Sequence, residues 1–199
     1  MQKLGLRAKG YRKSTQKRSN NRTLEAYITD NLLNREFNSE TVDSIWVTDI
    51  TYVPCSDGRL YLSTYLDLAT RIPRCYELST SMKKEIVIGP LARYKGKLPE
   101  IVHSDRGSQY TSYAYAELLL SKTITHSMSK PGTPADNAVM ESFHNSIKRE
   151  LIKPKRHKTK VEMKVLIDNY LQRYYLYDRI HTRFMMTPIQ HQELLLSVT

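Results

Sequence analysis

The chain has 199 residues and a formal net charge of +11 at pH 7, which allows one full α/β core and leaves little for a second domain. The basic residues cluster in two places. Residues 1–24 hold eight Lys or Arg and no acid, and residues 147–164 hold eight against two acids. An ordinary solvated surface would spread these residues more evenly. The distribution therefore predicts a polyanionic partner, with nucleic acid as the expected class.

The composition argues against a secreted, membrane or zinc-binding protein. No signal peptide and no apolar run long enough to span a bilayer occur in the sequence. Cys55 and Cys75 form no redox or metal-type pair, which predicts reduced thiols in the cytosol. The histidines show no HxxxH spacing, so structural zinc is not expected. They are His103, His126, His144, His157, His181 and His191.

The first forty residues are basic, rich in Ser, Thr and Asn, and lack an apolar period, which predicts a flexible arm or linker. Regular structure is expected from Ile45 onward. An Asp57-Gly58 pair indicates a hairpin between the first two strands. In chain order, the patterns predict strands at 45–53, 60–68 and 72–78, a helix at 80–94, a strand at 100–104, a helix around 112–121, a strand near 123–128, and helices at about 134–151 and 160–177.

Three antiparallel strands followed by alternating helices and strands fit a ribonuclease H-like α/β fold, with a mixed five-stranded sheet flanked by helices. We expect three parts: a basic arm at 1–40, the core at 41–155, and a C-terminal helical extension at 156–199 packed on that core. The late tyrosines have helical spacing and are expected in the core or an interface. They are Tyr170, Tyr174, Tyr175 and Tyr177.

The helix expected at 134–151 has two different sides. Thr133 is expected to cap it, with Pro134 in the first turn and Asp136 three residues after the cap. At about 100° per residue, one arc is apolar; it carries Val139, Met140, Phe143, Ile147 and Leu151. The opposite side carries Asn137, Glu141, His144 and Lys148. Packing alone does not predict an amide, a carboxylate, an imidazole and an ammonium in register.

Three acids occur in contexts that suit a divalent cation. Asp49 lies within a β-branched and aromatic run, where a carboxylate is costly unless a cation or hydrogen bonds compensate it. Asp105 ends a short strand, and Glu141 lies on the polar side of a helix. Hard carboxylate oxygens are what Mg²⁺ or Mn²⁺ prefers. Taken singly, each acid has an ordinary alternative: an edge strand facing water for Asp49, a turn for Asp105, and a solvated helix surface for Glu141.

Together, these contexts resemble a known family. The motifs are WVTDITYV (Trp46–Val53), HSDRGSQYTS (His103–Ser112), SMSKPGTPADNAVMESFHNSIKRE (Ser127–Glu150) and YLYDRIHTRFMMTPIQ (Tyr175–Gln190). They resemble the insertion-sequence transposases of the IS-three group, within the DDE transposase and retroviral-integrase superfamily. The resemblance runs from about Arg35 to the end of the chain. It includes the spacing of 35 residues between Asp105 and Glu141.

The resemblance implies a metal-dependent reaction on DNA. In that family the three acids hold two Mg²⁺ or Mn²⁺ ions, which activate a water or a DNA 3′-hydroxyl for in-line attack on a phosphodiester. Asp49 would bridge the metals, with Asp105 on one and Glu141 on the other, and the 41–155 segment would be an integrase-like catalytic core. No organic cofactor or covalent enzyme intermediate is implied.

DNA passing the metals would meet basic and amide side chains near Glu141. Lys148 is the favoured phosphate contact, with a solvated helix lysine as the alternative. The full set of expected DNA contacts is Arg106, Lys130, Asn137, Lys148 and Arg149. The sequence departs from the family pattern at Arg71–Cys75 and Asp178, which bears on packing more than on chemistry. Asp67 matches a recurrent family acid and is expected to be structural.

Residues 1–9 resemble the stretch that joins the helix-turn-helix region of a transposase to its catalytic core. We therefore expect an upstream helix-turn-helix protein or fused region, and little sequence preference from this chain alone. The favoured function is DNA strand cleavage and transfer by a homo-oligomer on double-stranded transposon ends and target DNA, in the bacterial cytoplasm at the nucleoid. The alternatives are a truncated remnant that binds DNA or inhibits the full-length enzyme, and a ribonuclease H-like nuclease.

Overall fold

The computed structural model describes residues 27–198, and regular structure in this part of the protein begins at Ile45, as predicted. The strands are β1 (Ile45–Cys55), β2 (Gly58–Asp67), β3 (Pro73–Ser79), β4 (Ile101–Ser104) and β5 (Thr125–Met128). The main helices are α1 (Glu85–Arg93), α2 (Tyr113–Ser121), α3 (Ala138–Ile147), α4 (Lys160–Asn169) and α5 (Pro188–Val198).

The strands form one mixed sheet in the order β3-β2-β1-β4-β5. β1 pairs antiparallel with β2, and β2 with β3, whereas the β1–β4 and β4–β5 pairs are parallel. This arrangement confirms the expected ribonuclease H-like sheet. Because β1 is the central strand, the alternative of Asp49 on an edge strand is wrong.

Alternation along β1 divides apolar residues between the two faces of the sheet. Val47 and Val53 pack with residues of α3 and α4 in one buried cluster, whereas Trp46 packs with α1 and α2 in the other. Phe143 and Ile147, from the predicted apolar arc of α3, are buried in the first cluster. Helices therefore cover both faces, and α3 lies on the face to which Val47 points.

The hairpin between β1 and β2 closes as the Asp-Gly pair predicts. Cys55 pairs with Gly58, which leaves Ser56 and Asp57 as a two-residue turn. Gly58 has a φ of +127°, a conformation that favours glycine. The Lys160 N–H donates to the Asp57 carboxylate at 2.8 Å, which joins this turn to the start of α4.

The segment expected as one helix at 134–151 is divided. Pro134–Asn137 forms a 3₁₀ turn, α3 follows, and a π-helical segment, Lys148–Ile152, continues it. The Thr133 hydroxyl donates to a loop carbonyl at 3.4 Å and makes no capping bond, so the predicted cap is wrong. The Asp136 carboxylate instead accepts the Lys130 N–H at 3.0 Å. This bond holds the approach to the helix in a tighter turn than an α-helical start.

The helix expected at 80–94 begins only at Glu85. After β3, the Ser81 N–H donates to the Ser79 hydroxyl at 3.0 Å. Such local side-chain bonds compete with helix formation, and here they account for the later start.

The described part of the expected flexible arm, residues 27–40, contacts the core. Leu33 is 4% exposed and belongs to the apolar cluster on the α3 side of the sheet. The Asp30 carbonyl accepts the Met128 N–H at 3.1 Å, at the end of β5. These residues therefore form no detached linker. The basic cluster at 1–24 and the segment that resembles a link to a helix-turn-helix region lie outside the described residues. The boundaries at 40 and 155 remain predictions.

The helical segment after the core packs on the sheet. α4 starts with a capping box between Thr159 and Glu162, and its buried residues join the cluster on the α3 side. A π-helical segment, Tyr170–Asp178, continues α4. Tyr170 and Tyr175 within it are buried as expected, whereas its other two tyrosines, Tyr174 and Tyr177, are exposed, so the tyrosine prediction holds for half of the set.

α5 was not predicted from the sequence. The Thr187 hydroxyl accepts the Gln190 N–H at 3.3 Å, and the Gln190 side chain accepts the Thr187 N–H at 3.0 Å. This reciprocal pair is a capping box, and the pattern Thr-Pro-x-Gln was its signal in the sequence. No helix within residues 27–198 is long and apolar enough to cross a membrane.

Candidate active site

Asp49 and Asp105 are brought together by the register of two parallel strands. Val47 of β1 pairs with His103 of β4, the last pair between these strands. Asp49 lies two residues after Val47 on β1, and Asp105 directly follows the end of β4, two residues after His103, so both acids lie at the same end of the sheet. β1 continues beyond this point without β4, which leaves an open edge beside both carboxylates.

α3 supplies the third acid, and Asn137 of the preceding 3₁₀ turn and His144 of α3 attach the helix to β1. Asn137, one turn before Glu141, donates its amide to the Thr48 carbonyl at 3.2 Å. His144 Nδ1 lies 3.4 Å from the Asp49 carboxylate, and its side chain is 5% exposed. These contacts orient the side of α3 that carries Glu141 toward the end of β1. His144 is thus a site residue that the sequence prediction noted on the helix but did not include.

All three acids line one cleft at this end of the sheet. The cleft also contains three of the five expected DNA contacts, namely Arg106, Lys130 and Asn137. Asn137 is 6% exposed with its amide on a backbone carbonyl, so it positions α3 and does not present itself to solvent as expected. Lys148 and Arg149 lie further along the helix and do not line the cleft.

The acids of the cleft are not neutralised by the described chain. Asp105 keeps contact with solvent, yet the protein packed around its carboxyl group raises its pKa, and the Asp49 charge adds to this rise. The Gly107 N–H, at 2.9 Å from the Asp105 carboxylate, opposes it. Arg106 Nε donates to the Ser129 carbonyl at 2.9 Å instead of to an acid. Within residues 27–198, neither Asp105 nor Glu141 forms an ion pair.

The carboxylates of the cleft suit a hard divalent cation, but they do not form a complete set of metal ligands. Carboxylate oxygens are the ligands that Mg²⁺ prefers, and two carboxylates stand side by side. Across residues 27–198, however, no group of three His, Cys, Asp or Glu side chains is close enough together to hold a metal ion. The three acids share the cleft without forming a closed ligand set.

A buried polar network beneath the cleft holds the loop that leads to α3. His103 Nδ1 lies 2.8 Å from the Ser127 hydroxyl. Its Nε2 lies 3.0 Å from both the Ser129 hydroxyl and the Asp136 carbonyl. Burial lowers the pKa of His103, so the ring is neutral at pH 7 and acts as a bridge between strands and loop.

Asp136 fastens the same loop from the other side. Its carboxylate accepts Arg35 Nε at 2.8 Å, the Asn31 amide at 3.0 Å and the Lys130 N–H at 3.0 Å. The Arg35 hydrogen bond contributes most to a lowered pKa of Asp136. The sequence pattern assigned Asp136 to a helix start and Arg35 to a linker. No local signal could join residues 101 positions apart.

Asp67 lies outside the cleft. It is fully buried, and its carboxylate accepts the Thr70 hydroxyl and the Asp43 N–H. Arg74 lies 3.5 Å from it. These partners agree with the structural role expected for Asp67.

Comparison with known proteins gives one consistent family. Two family models, both described as Integrase core domain, match residues 40–134 and 122–182. The chain is 36% identical over 186 residues to a transposase for insertion sequence element IS904 of Lactococcus lactis, covering 92% of this chain and 73% of that protein. A transposase-like protein of Haemophilus influenzae is 34% identical, with 96% and 89% covered. Transposase InsF for insertion sequence IS3A of Escherichia coli is 33% identical, with 86% and 60% covered.

Solved structures share the fold at lower identity. A chain of the simian T-cell lymphotropic virus intasome has a TM-score of 0.64 at 18% identity, covering 77% of this chain and 56% of that chain. The HTLV-2 integrase catalytic core domain, solved in complex with magnesium in a trimeric form, has a TM-score of 0.60 at 16% identity, covering 74% and 95%. These similarities confirm the ribonuclease H-like fold.

Proposed function

Since this chain belongs to the insertion-sequence transposases, polynucleotidyl transferases with an integrase core domain, we propose that it cleaves DNA strands and transfers them in a reaction that depends on divalent metal. The observation that carries the proposal is the cleft that Asp49, Asp105 and Glu141 share with Arg106 and Lys130. Phosphodiester chemistry uses both kinds of group, because carboxylates bind the cation and basic side chains bind the phosphate.

The proposed cofactors are two Mg²⁺ or Mn²⁺ ions, which Asp49, Asp105 and Glu141 would hold. The HTLV-2 relative was solved with magnesium, and the carboxylates of this cleft suit the same ion. Bound there, the cations would make the attacking hydroxyl more acidic and neutralise charge on the leaving oxygen. Glu141 is exposed and makes no ion pair within residues 27–198, so its side chain is free to turn toward the aspartates.

The chain's own side chains would orient the DNA. Lys130 is exposed at the rim of the cleft, where an ammonium group can meet a backbone phosphate. Arg106 is fixed by its bond to the Ser129 carbonyl, and its terminal N–H groups remain for a second phosphate oxygen. His144 and Asn137 hold α3 against β1 while these contacts form.

Assembly on DNA is part of the proposal. The retroviral relatives were solved as an intasome and as trimeric and dimeric cores. We extend such association to this chain and propose a homo-oligomer on double-stranded transposon ends and target DNA. The helix-turn-helix partner or fused region, which would read the sequence of the ends, stays a prediction.

Incubation of the chain with end-labelled duplex DNA in Mg²⁺, Mn²⁺ or EDTA tests the function. We expect cleavage and joined products with either metal and neither product with EDTA. A duplex with a 3′-dideoxy end serves as control, because it can be cleaved internally but cannot be joined through that end. Cleavage without joining on the normal duplex would favour a nuclease, and binding without cleavage would favour an inhibitory remnant; either result contradicts the proposal.

A further inference from the structure

A cavity on the opposite side of α3 from the cleft is lined by several arginines. Val139 and Ser142 of α3 line this cavity, whereas Glu141, between them in sequence, lines the cleft. The basic residues that line it are Arg71, Arg179, His181 and Arg183. Arg71 comes from the turn between β2 and β3, and the other three come from the segment between α4 and α5, so the fold itself assembles this basic cavity.

Arg71 is the most deeply buried of these residues, at 4% exposed. Its guanidinium group donates to the Phe37 carbonyl at 3.0 Å, while its Nη1 is buried and has no hydrogen-bond partner within residues 27–198. None of the carboxylates in this part of the chain forms an ion pair with it. A buried guanidinium without a carboxylate is costly, so an anion from outside would stabilise this arrangement.

Neighbouring groups do not supply the missing negative charge. Asp67 acts on Arg71 electrostatically, but its carboxylate is already used by Thr70 and Arg74. Burial, and then the charge of Arg183, lower the pKa of Arg71 to about 10. Both arginines therefore stay charged at pH 7 while they repel each other, which is an environment that attracts an anion.

The other basic groups differ in what they can offer a ligand. Glu150 holds Arg179 at 2.9 Å and neutralises it. Arg183 is exposed, and its guanidinium group contacts the uncharged Asn38 side chain and the Phe184 ring; it forms no ion pair within residues 27–198. His181 accepts the Arg183 N–H on Nδ1 at 3.3 Å, which leaves Nε2–H of the neutral ring as a donor. Burial, and then the surrounding arginines, lower the pKa of His181 to about 4, so the ring is neutral at pH 7.

We propose that this cavity binds a phosphate group of the DNA backbone, with Arg71 and Arg183 as charged donors and His181 as a neutral one. The planar guanidinium group matches two oxygens of a phosphate, and apolar cavity walls strengthen such bonds. The choice of DNA as the source rests on the proposed function and on the net charge of +11. Since the cavity and the cleft lie on opposite sides of α3, the bound phosphate is not the reacting one.

Two binding measurements without metal test this site. The first titrates inorganic phosphate against chloride at equal ionic strength and follows the thermal midpoint of unfolding. The second measures the salt dependence of duplex DNA binding in EDTA. The variants are Arg183→Gln at the exposed rim and Arg71→Met inside. The control is Arg173→Gln, an exposed arginine outside the cavity. Arg183→Gln keeps the test valid even if Arg71→Met unfolds the protein.

We expect Arg183→Gln to weaken phosphate binding by about fivefold or more and to lower the DNA salt slope by about one unit relative to Arg173→Gln. Equal phosphate binding in these two variants would overturn the site. Weaker phosphate binding with an unchanged DNA slope would overturn DNA as its source. These measurements do not involve cleavage. If the cavity binds no phosphate, the proposed metal-dependent activity is therefore not contradicted, and if the protein does not cleave DNA, the binding differences between the variants can still be measured.

Discussion

The two sides of α3 carry opposite surpluses of charge. On one side the cleft holds three acids without an arginine or lysine partner, and on the other the cavity holds two charged arginines without a carboxylate partner, within residues 27–198. By contrast, two other arginines of the described chain are paired with carboxylates. Arg179 lies 2.9 Å from Glu150, and Arg74 lies 2.6 Å from Asp43.

This contrast separates charges that stabilise the fold from charges kept for a ligand. An internal pair compensates the desolvation of both its members, so removing one partner leaves a partly buried charge and lowers stability. An exposed charge in the cleft or at the cavity rim costs less, because water reaches it until a ligand arrives. Substitutions in the cleft or at the cavity rim should therefore affect function, and substitutions in the pairs should affect stability.

The largest effect is expected from Glu141→Gln in the cleft. The variant should lose Mg²⁺-dependent cleavage by about 10²-fold or more, roughly 3 kcal/mol of transition-state stabilisation, since the amide is a poorer metal ligand than the carboxylate. Its circular dichroism and thermal midpoint should match the wild type. Glu117→Gln, an exposed glutamate on α2, is the control and should keep full activity. Near wild-type cleavage by Glu141→Gln would remove Glu141 from the site.

The opposite outcome is expected for Glu150→Gln, which breaks an internal pair. Burial opposes the ionised form of Glu150, but hydrogen bonds from Arg179 and Tyr170 hold its pKa below the ordinary 4.5. Losing these charged bonds should lower the free energy of unfolding by about 2 kcal/mol, measured by denaturant titration. Glu193→Gln, an exposed glutamate on α5, should change it little. The variant also frees Arg179, so phosphate binding in the cavity should strengthen while stability falls.

The same pair predicts an acid-side loss of stability. The folded-state pKa of Glu150 is lowered, so its contribution is complete above about pH 4.5 and disappears as the pH falls through the lowered value. The difference in stability between wild type and Glu150→Gln should therefore shrink with acidification below pH 4.5. A difference that stays constant to the lowest measurable pH would contradict the ion-pair explanation.

An intermediate effect is expected from Asp136→Asn, which loosens the loop beneath the cleft. The amide cannot accept all three hydrogen bonds that the carboxylate takes from Arg35, Asn31 and the Lys130 N–H. A small displacement of Lys130 and of the start of α3 should reduce cleavage by about tenfold, because reacting groups tolerate little misplacement. Asp30→Asn, in the same segment as Asn31 and Arg35, is the control. Among the described residues Asp30 is bonded through its backbone carbonyl, which the substitution keeps, so this variant should retain activity. Equal activities of the two variants would show that the loop does not position the site.

The sheet and the two aspartates could be predicted because their signals are local. Alternating apolar residues give β1, the Asp-Gly pair gives the turn, and short apolar runs give the later strands. Once β1 and β4 are known to be parallel, the register Val47–His103 places Asp49 and Asp105 at the same end of the sheet. The position of Glu141 on the polar side of α3 follows from the helical period alone.

The supports of the site and the cavity could not be predicted, because they join segments far apart in sequence. The pairs Arg35–Asp136 and Arg179–Glu150 and the approach of Arg183 to Arg71 depend on how loops fold over the sheet, which no short pattern encodes. The failed cap at Thr133 has a related origin: Asp136, expected in the first turn of a helix, instead accepts hydrogen bonds from Arg35 and Asn31 of a distant segment. In sequence, Arg71 lies in a departure from the family pattern, whereas Arg179 and Arg183 lie in the closing segment that resembles the family, and neither context indicates a cavity.

The smallest effect is expected at Lys148, which lies outside both concavities. It follows α3 within the basic segment 147–164 and shares the polar side of the helix with Glu141. If it contacts a backbone phosphate, Lys148→Ala should weaken DNA binding equally for all sequences and reduce the slope of log affinity against log salt by about one unit. Lys164→Ala, an exposed lysine at the far end of the same segment, is the matched control and should change the slope less. Equal slopes for the two variants would leave Lys148 as solvated surface.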